Sequence, residues 1–506
     1  MNITNDDIKY VIVQAGGKGT RMGRFAENKP KCLVPVNDIP IIVNTLNVYK
    51  DKKVIIIADY LSNVLETYLN VFYNGDNYNV LQTNEIGTAG GLTEAVSLIP
   101  DKEPFILTWA DLFFEEKLNF SFNNELLVGL SDTFKCRWKL DNNKFINEAS
   151  TEIGVAGFFV FKDKERFNNL KIDKSLVRGF LSDDYTSEDI DSFYLKKCFE
   201  VGEKDRYERL ISKRITHRFF NEVKIKGDKV YKKCIDSRYD DVHRKEKSWY
   251  KAIGGRLKNI PTIHSINPLI MDRINGEHLW NIKKNKKNII ENYCDALDSL
   301  HNLVKVESNY EDMIDVYYTK AYNRVMEVED IVRFIDDDII IINNKECINP
   351  FYNKDRFERI IKSVASQEYF NIIHGDVTFS NTLVDSNNDI WFIDPRGSFG
   401  STEIYGDRRY DWAKFYYSAF GNYDSINTKK YRVRIYNRQV DLQIKSNGYE
   451  EYSDYIIERS GMSKREMGIL HASIWLSLTG YVKEDIDAIL YSFYRGCQLW
   501  TEAISL

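Results

Sequence analysis

The chain has 506 residues, of which 43% are hydrophobic and 29% charged, and its formal net charge is −5. A chain of this length exceeds what one hydrophobic core usually serves, so two or three domains are expected. The small net charge argues against nucleic acid as a partner, and no apolar run approaches the ~18 residues that a membrane-spanning helix needs.

The cysteines and the first residues bear on where the protein works. The seven cysteines are scattered and never form a CxxC pair, which indicates reduced thiols and no zinc site. The stretch MNITNDDIKY is polar and acidic and runs directly into a strand. We therefore expect no signal peptide and a cytoplasmic protein. The sequence carries no signal for the oligomeric state.

The first motif, QAGGKGTRMGRFAENKPK, follows a predicted buried strand at residues 10–13. Its glycines allow a tight turn that brings backbone N–H groups close to a polyphosphate. Arg21 and Lys31 add positive charge. The alternatives are a plain loop between a strand and a helix, and two solvated loop cations. The glycines are Gly16, Gly17 and Gly19.

The pattern GGxGTRM…KPK resembles the signature of sugar-1-phosphate nucleotidyltransferases, whose relatives include phosphocholine cytidylyltransferases. The resemblance assigns Arg21 to the triphosphate and transition state, and Lys31 to the α-phosphate region. It implies an α/β, Rossmann-like domain with a mixed, mostly parallel sheet, for which we predict residues 1–207. The residues expected to line the nucleotide at the turn are Ala15, Gly16, Gly17, Gly19 and Thr20.

Three later segments fit the same family in order. The GTAG-like stretch at 85–92 would lie against the nucleoside, with a helix N-cap as the alternative. The apolar strand at 104–110 ends in Asp111, which would hold Mg²⁺. Residues 198–207, CFEVGEKDRY, resemble the second metal-binding segment, with Glu200 where the family usually has Asp. The GTAG-like residues expected at the nucleotide are Gly87, Thr88, Ala89 and Gly90.

These parts imply one reaction for the first domain. A phosphate monoester attacks the α-phosphorus of a nucleoside triphosphate, pyrophosphate leaves, and Mg²⁺ on Asp111 and Glu200 neutralises charge. No protein base is required, because the attacking phosphate is already ionised.

The stretch NEVKIKGDKVYKKC at 221–234 predicts a β-hairpin. Its second strand resembles the protein-kinase strand whose lysine contacts nucleotide phosphates, which assigns Lys232 to that role. A slip of one residue in register would select Lys233 instead. Glu246, on a helix predicted at about 242–252, is the expected ion-pair partner. Residues 268–277 resemble the kinase hinge, where backbone groups from Met271 to Arg273 would bind adenine.

The most informative stretch is IIHGDVTFSNTLVDSNNDIWFIDPRG at 372–397. Asp376 sits in a His-Gly-Asp turn, Asn381 follows five residues later, and Asp394 ends a second apolar strand. This spacing predicts phosphoryl transfer, with Asp376 as the base and Asn381 and Asp394 as Mg²⁺ ligands. The alternative is a β-hairpin with ordinary turn residues.

HGDxxxxN followed by a strand that ends in Asp resembles the aminoglycoside phosphotransferase and choline kinase family. The resemblance implies a bilobal, protein-kinase-like α+β domain, with lobes at 208–275 and 276–506, that uses ATP and Mg²⁺ on a small hydroxyl compound. Asp411 is expected to brace the catalytic loop. Arg396 departs from the family, which often has an acidic residue there. The sequence Asp-Pro-Arg-Gly resembles kinase modules of bacterial surface-polysaccharide proteins.

We therefore predict a bifunctional enzyme that phosphorylates a sugar or small alcohol with ATP and couples the ester to a second NTP. CTP is slightly favoured over UTP and GTP, and the product would be a precursor for surface glycan or capsule. One alternative is a choline or ethanolamine kinase joined to a CTP:phosphoalcohol cytidylyltransferase. In the other, one half is a catalytically dead binding module. The sequence identifies neither the acceptor nor whether its hydroxyl is anomeric.

Overall fold

The computed structural model describes residues 2–83, 89–170, 175–212 and 221–506. Two units divide the chain: unit 1 comprises Met1–Arg214 and Glu484–Asp487, and unit 2 comprises Ile215–Lys483 and Ala488–Leu506. The boundary predicted between 207 and 208 lies inside a helix, Lys204–Ser212. Within the described ranges, none of the helices combines the length and apolar character that crossing a lipid bilayer would require.

Unit 1 is built from short strands that are largely buried, with a few helices between them. Its strands in chain order are β1 (Ile3–Thr4), β2 (Tyr10–Gln14), β3 (Pro35–Val36), β4 (Ile39–Pro40), β5 (Lys53–Ala58), β6 (Tyr78–Gln82), β7 (Phe105–Trp109), β8 (Leu112–Phe114), β9 (Ser121–Phe122), β10 (Leu126–Ser131), β11 (Lys139–Asp141), β12 (Lys144–Ile146), β13 (Gly154–Phe161), β14 (Ile190–Tyr194) and β15 (Cys198–Glu200). Its helices are α1 (Ile41–Val48), α2 (Ser62–Phe72), α3 (Leu92–Ser97), α4 (Ser182–Asp184) and α5 (Lys204–Ser212).

The central sheet of unit 1 has the order β12-β11-β13-β7-β2-β5-β6, and β10 joins β13 to β14. Strand β2 pairs in parallel with β5 and with β7, whereas β13 runs antiparallel to β7. The predicted mixed sheet with parallel strands at its centre is therefore confirmed. Since Gln14 pairs with Trp109 at the carboxyl ends of β2 and β7, the glycine-rich turn begins beside Asp111.

The core explains why these strands are continuous apolar runs. Ile12, Ile57 and Leu107 are fully buried in one cluster that also includes residues of α3, and strands covered on both faces need no polar side. A second cluster packs Phe25 against Tyr207 of α5, with ring centres 4.7 Å apart. This contact ties the segment after Glu200 to the glycine-rich motif.

The first lysine of the Lys-Pro-Lys motif is a structural residue of unit 1. Lys29 is 1% exposed and forms ion pairs with Asp485, at 2.8 Å, and with Asp487. The side-chain amide of Asn28 donates to Asp487 at 2.8 Å. A buried lysine is stable only with such partners, so Lys29 serves folding and Lys31 is the lysine of the site.

Unit 2 contains small sheets and most of the helices. Its strands are β16 (Asn221–Lys226), β17 (Lys229–Cys234), β18 (Ile263–Ile266), β19 (Leu269–Asp272), β20 (Gly276–Glu277), β21 (Lys305–Glu307), β22 (Ile339–Ile342), β23 (Lys345–Ile348), β24 (Tyr369–Ile372), β25 (Thr382–Asp385), β26 (Ile390–Phe392), β27 (Tyr405–Gly406), β28 (Tyr431–Tyr436) and β29 (Gln439–Ile444). Its helices are α6 (Asp240–Ile253), α7 (Lys286–His301), α8 (Tyr310–Ile314), α9 (Lys320–Met326), α10 (Lys354–Val364), α11 (Arg408–Ala419), α12 (Asp424–Asn427), α13 (Ser453–Ser460), α14 (Lys464–Thr479) and α15 (Ile486–Ile504).

The first part of unit 2 is a four-stranded antiparallel sheet with the order β16-β17-β19-β18. The predicted hairpin is confirmed, because Val223 pairs with Lys232 and Gly227 occupies the turn at φ +61°. Two three-stranded sheets, β20-β25-β26 and β21-β24-β27, lie further along the chain. The HGD stretch connects the two sheets, because it runs from β24 in one to β25 in the other.

Candidate active sites

The glycine-rich turn of unit 1 folds back onto the lysine of the motif. Gly19 has φ +62°, and a Cβ atom there would lie 3.1 Å from the Cβ of Lys31 and 3.2 Å from that of Ala26. Only glycine combines this conformation with so little space. Thr20 begins a 3₁₀ helix, and Ala15 is buried with its N–H donating to the carbonyl of Ile57 at 2.8 Å.

Lys31 and Asp111 form the centre of this site. The Nζ of Lys31 lies 2.6 Å from the Oδ2 of Asp111, and their side chains are 16% and 6% exposed. The other oxygen of that carboxylate, Oδ1, is buried and has no hydrogen-bond partner among the residues that the structure describes. The two residues that the sequence assigned to the phosphate and to the metal are thus brought together.

The carboxylates of Glu200 and Asp111 both lie close to Gly202. The N–H of Gly202 donates to Oε1 of Glu200 at 2.9 Å. A Cβ atom at Gly202 would collide with that oxygen and would lie 2.7 Å from Oδ2 of Asp111. Strand β15 holds this arrangement by pairing Glu200 with Leu112, the neighbour of Asp111. Gly202 was not singled out from the sequence, because its importance comes from two carboxylates that are distant in sequence.

Asp111 and Glu200 fit a magnesium ion. Both are hard oxygen donors, they converge, and Asp111 presents a buried oxygen without a protein partner. Across the described parts of the chain, no cluster of three or more acidic, histidine or cysteine side chains could complete a metal site. The other ligands would therefore come from nucleotide phosphates and water, as is usual for Mg²⁺.

A chain of alternating charges leads from Glu200 to Arg21. Arg206 forms an ion pair with Glu200 and lies 3.6 Å from Glu203, which in turn lies 2.7 Å from Arg21. Burial lowers the pKa of Arg206. Arg21 is 66% exposed, which leaves it accessible to a triphosphate. Glu203 and Arg206 were not predicted as site residues, although both stand in the same segment as Glu200.

The GTAG-like stretch is described from Ala89 onward. Ala89 is buried, and the carbonyl of Gly90 accepts a hydrogen bond of 3.1 Å from the Gln14 side chain at the end of β2. This bond brings the stretch to the same sheet edge as the glycine-rich turn. Gly87 and Thr88 lie outside the described residues.

Trp109 covers a glycine at the edge of the same site. Gly157 has φ +85°, and a Cβ atom there would collide with the indole of Trp109. The indole Nε1–H is buried without a hydrogen-bond partner in the described structure. Trp109 precedes Asp111 by two residues and was not singled out from the sequence.

In unit 2, Lys232 lies between two carboxylates. Its Nζ is 2.8 Å from Glu246 and 2.8 Å from Asp394. Lys232 and Glu246 are 5% and 4% exposed, whereas Lys233 is exposed. Burial lowers the pKa of Lys232, but Asp394 and Glu246 outweigh it and raise the pKa above its ordinary value. The register of the hairpin thus places Lys232, and not Lys233, beside Glu246 and Asp394.

Asp376 and Asn381 are joined by hydrogen bonds in the HGD stretch. The amide of Asn381 donates to the carbonyl of Asp376 at 2.8 Å and to its Oδ2 at 3.0 Å. The amide of Ile393 donates to the carbonyl of Asn381 at 3.0 Å, which places Asp394 next in the chain. Asp394 has φ +55°, a conformation that costs energy and concentrates at functional sites. The oxygens of Asn381 and Asp394 are of the kind that Mg²⁺ prefers.

Asp411 holds the His-Gly-Asp turn in place. Its fully buried carboxylate accepts the amides of His374 and Gly375, each at 2.8 Å. His301 Nε2 lies 3.1 Å from the same carboxylate. His374 accepts the Asp376 amide at Nδ1, and its Nε2 donates to the Ile393 carbonyl. One ring nitrogen that accepts and one that donates describe a neutral imidazole with a structural role, and burial lowers the pKa of His374.

Only some of the backbone groups expected to bind adenine are free of other hydrogen bonds. Met271 lies inside β19, paired with Val230. The N–H of Arg273 already donates to the carbonyl of Asp228 at 2.7 Å. That amide is therefore engaged within the protein, which leaves the Arg273 carbonyl and the residues after it for a base.

Residues 11–118 match the family of MobA-like NTP transferase domains. Two curated relatives are named bifunctional protein GlmU: that of Methanococcus maripaludis strain DSM 14266 is 28% identical over 123 residues, and that of strain C5 is 25% identical over 122. Each match covers 24% of this chain and 29% of the relative. The chain thus spans less than a third of these relatives, and the region matched by the family lies within unit 1.

Solved structures similar to the chain cover a larger part of it than these relatives do. HddC from Yersinia pseudotuberculosis is 19% identical with a TM-score of 0.34 and covers 40% of this chain and 98% of its own. The CTP:phosphocholine cytidylyltransferase LicC from Streptococcus pneumoniae is 19% identical with a TM-score of 0.33 and the same coverage. At these scores the similarities carry no further argument.

Proposed function

We propose that the protein is a bifunctional enzyme that makes a nucleotide-activated compound in two steps. Unit 2 phosphorylates a small hydroxyl compound with ATP, and unit 1 couples the resulting ester to a nucleotide. The observation that carries the proposal is the repetition of one arrangement: Lys31 pairs with Asp111 in unit 1, and Lys232 pairs with Asp394 in unit 2. Each pair unites a phosphate-binding cation with a metal-binding acid.

In unit 1, a phosphate ester oxygen attacks the α-phosphorus of the NTP. The new P–O bond forms as the bond from the α-phosphorus to the bridging oxygen breaks, and pyrophosphate leaves. Lys31 and Arg21 stabilise the charge that develops on the phosphates, and the turn at Gly16 and Gly17 offers backbone N–H groups. When bound at Asp111 and Glu200, Mg²⁺ supplies further charge neutralisation.

In unit 2, the oxygen of the acceptor hydroxyl attacks the γ-phosphorus of ATP while Asp376 takes the hydroxyl proton. The bond from the γ-phosphorus to the β-phosphate bridge breaks, and ADP leaves. Asn381 fixes the orientation of Asp376 through two hydrogen bonds, so the base is preorganised. Lys232, held by Glu246, is the cation for the ATP phosphates. Asn381 and Asp394 would hold Mg²⁺, which would supply charge neutralisation there.

The product we propose is a precursor for bacterial surface glycan or capsule, made in the cytoplasm, with CTP slightly favoured as the second nucleotide. This assignment rests on the resemblances of the sequence motifs. Because the ester made by unit 2 has a destination on the same chain, the arrangement favours biosynthesis over inactivation of an antibiotic.

Two variants of the full-length chain test the proposal. Asp376→Asn should abolish ADP formation from ATP and acceptor while leaving pyrophosphate release from NTP and a supplied phosphate ester. Asp111→Asn should do the reverse. If either activity is absent from the wild-type protein, or if one substitution removes both, the two-site proposal is wrong.

A further inference from the structure

Four cationic side chains gather around the proposed base of unit 2. Two of them, one helical turn apart on α9, share a helix face; one lies on α11, and one follows Asp394 in the chain. The other three cations and Asp376 all influence the pKa of Lys320, and Arg396 influences that of Arg324. The four are Lys320, Arg324, Lys414 and Arg396.

Two of these cations have structural partners. The Nζ of Lys414 lies 3.1 Å from Oδ1 of Asp376 and 5.2 Å from the ring centre of Tyr417. Arg324 donates to the carbonyl of Ser477 at 2.9 Å, and its guanidinium lies 5.1 Å from the ring centre of Tyr481. Lys414 pairs with Asp376, and Arg324 links its helix to Ser477. These contacts account for both side chains without a ligand.

Lys320 and Arg396 are not explained in this way. Among the described residues, neither side chain makes a hydrogen bond or an ion pair with an acid, although both are half-buried. Arg396 lies directly over the catalytic loop, because a Cβ atom on Gly375 would be 3.1 Å from its Cβ. Its position is that of the departure from the family pattern noted in the sequence.

The electrostatic balance at Lys320 points the same way. Burial lowers its pKa far below the ordinary value, and Arg396, Arg324 and Lys414 lower it further, whereas Asp376 raises it. Burial and Arg396 likewise lower the pKa of Arg324. A purely structural cluster would be expected to carry carboxylates to offset the cost of gathering like charges. Here four cations face two acids: Asp376, which the proposed chemistry occupies, and Glu327, which acts on Arg324 and is itself paired with Lys483 at 2.7 Å.

We propose that the acceptor phosphorylated at Asp376 carries an anionic group, a carboxylate or a phosphate ester, which Lys320 and Arg396 bind. This inference rests on the proposed kinase function of unit 2. It disfavours choline or ethanolamine, because Lys320 and Arg396 would repel a cationic acceptor.

The inference defines the reaction more closely. The acceptor hydroxyl oxygen bonds to the γ-phosphorus, the bond from that phosphorus to the β-phosphate bridge breaks, the hydroxyl proton passes to Asp376 and ADP leaves. A carboxylate acceptor would yield a phosphorylated hydroxy acid. A phosphate-bearing acceptor would yield a bisphosphate, and an enzyme that removes one phosphate would then have to act before or after the coupling step.

Matched acceptors test the charge requirement on the full-length protein. ADP release would be measured with neutral aldoses, the corresponding uronic acids, the corresponding sugar phosphates and amino sugars, together with choline. We expect kcat/KM at least about 100-fold higher for one of the two anionic classes than for its neutral counterpart, and the class that responds identifies the anion. Equal or better turnover of neutral or cationic acceptors would overturn the inference.

Variants locate the effect in the cluster. Lys320→Met and Arg396→Gln should each raise KM for the anionic acceptor by about 10- to 100-fold, without changing KM for ATP. Lys284→Met, an exposed lysine of unit 2, is the matched control and should behave like wild type. An unchanged acceptor KM in both cluster variants would contradict the inference.

Inorganic phosphate probes the same subsite without turnover. Its binding, followed by thermal shift, should persist in Lys232→Met, which removes the cation proposed for ATP, and should be lost in the Lys320→Met, Arg396→Gln double variant. The subsite is refuted if both variants still bind phosphate, or if only Lys232→Met loses phosphate binding. Retained cluster binding with no kinase activity on any acceptor would refute the proposed function and leave an anion site.

Discussion

The Nζ of Lys31 lies 2.6 Å from Oδ2 of Asp111, although 80 residues separate them in the chain. The parallel pairing of β2 with β7 creates this contact, because the two strands end at the same edge of the sheet. Ligand sites of open α/β sheets lie at such carboxyl ends.

The first prediction concerns Lys31. Lys31→Met should lower pyrophosphate release by about 100- to 1,000-fold, since a cation aimed at transition-state charge is removed. ADP formation by unit 2 should be unchanged, which serves as an internal control. Lys50→Met, at an exposed position, should retain both activities. Wild-type pyrophosphate release in Lys31→Met would remove the lysine from the mechanism.

The second prediction concerns Gly202. Gly202→Ala should push Glu200 and Asp111 apart, because the added methyl would collide with one carboxylate and crowd the other. Pyrophosphate release should fall by about 100-fold or more, since small misplacements at a reacting centre have effects of this size. Comparing Mg²⁺ titrations of the variant and wild type checks the cause. An unaltered Mg²⁺ dependence would show that the two carboxylates do not act together.

The third prediction separates Lys232 from its neighbour. Lys232→Met should abolish ADP formation and cost about 3 kcal/mol of stability, because Glu246 is left buried without its partner. Lys233→Met, the adjacent exposed lysine, should leave both nearly unchanged. ADP release and denaturant unfolding measure the two effects. Equal loss in both variants would argue against the observed register.

The fourth prediction uses Asp424, whose carboxylate accepts the amide of Ser380 at 2.9 Å. Burial raises its pKa to about 6. Between the ordinary pKa of 3.8 and about 6, the folded protein retains a proton that the unfolded chain has lost. Stability therefore falls as pH rises through this window, by about 3 kcal/mol for a shift of roughly two units.

Asp424→Asn replaces the titrating carboxyl group with an amide that does not titrate. The variant should gain stability relative to wild type between pH 4 and pH 7, as followed by urea unfolding at several pH values. A difference between the two proteins that does not change with pH would contradict the raised pKa of Asp424.

The sequence predicted those parts of the sites that depend on local spacing. The five-residue step from Asp376 to Asn381 and the glycine-rich turn after β2 were visible because a strand end and a tight turn leave a local pattern. The choice between Lys232 and Lys233 required the register of β17, which pairs Lys232 with Leu269 of the next strand in the sheet.

Other features depend on packing between distant segments. Gly202 matters because two carboxylates meet there, and Lys29 is held by acids more than 450 residues away in the chain. The charges around Lys320 come from α9, α11 and the loop after β26, so no sequence window contains them. Long-range contacts of this kind have no periodicity from which they could be predicted.

The two lysine–acid pairs have a consequence for how substrates enter. In each unit the carboxylate proposed for Mg²⁺ already has an ammonium group as its counter-ion, at 2.6 Å for Asp111 and 2.8 Å for Asp394. A metal ion arriving alone would compete with that lysine, whereas a metal–nucleotide complex brings phosphates to which the lysine can transfer. Charge is then balanced before and after the exchange, so both sites should take up metal and nucleotide together.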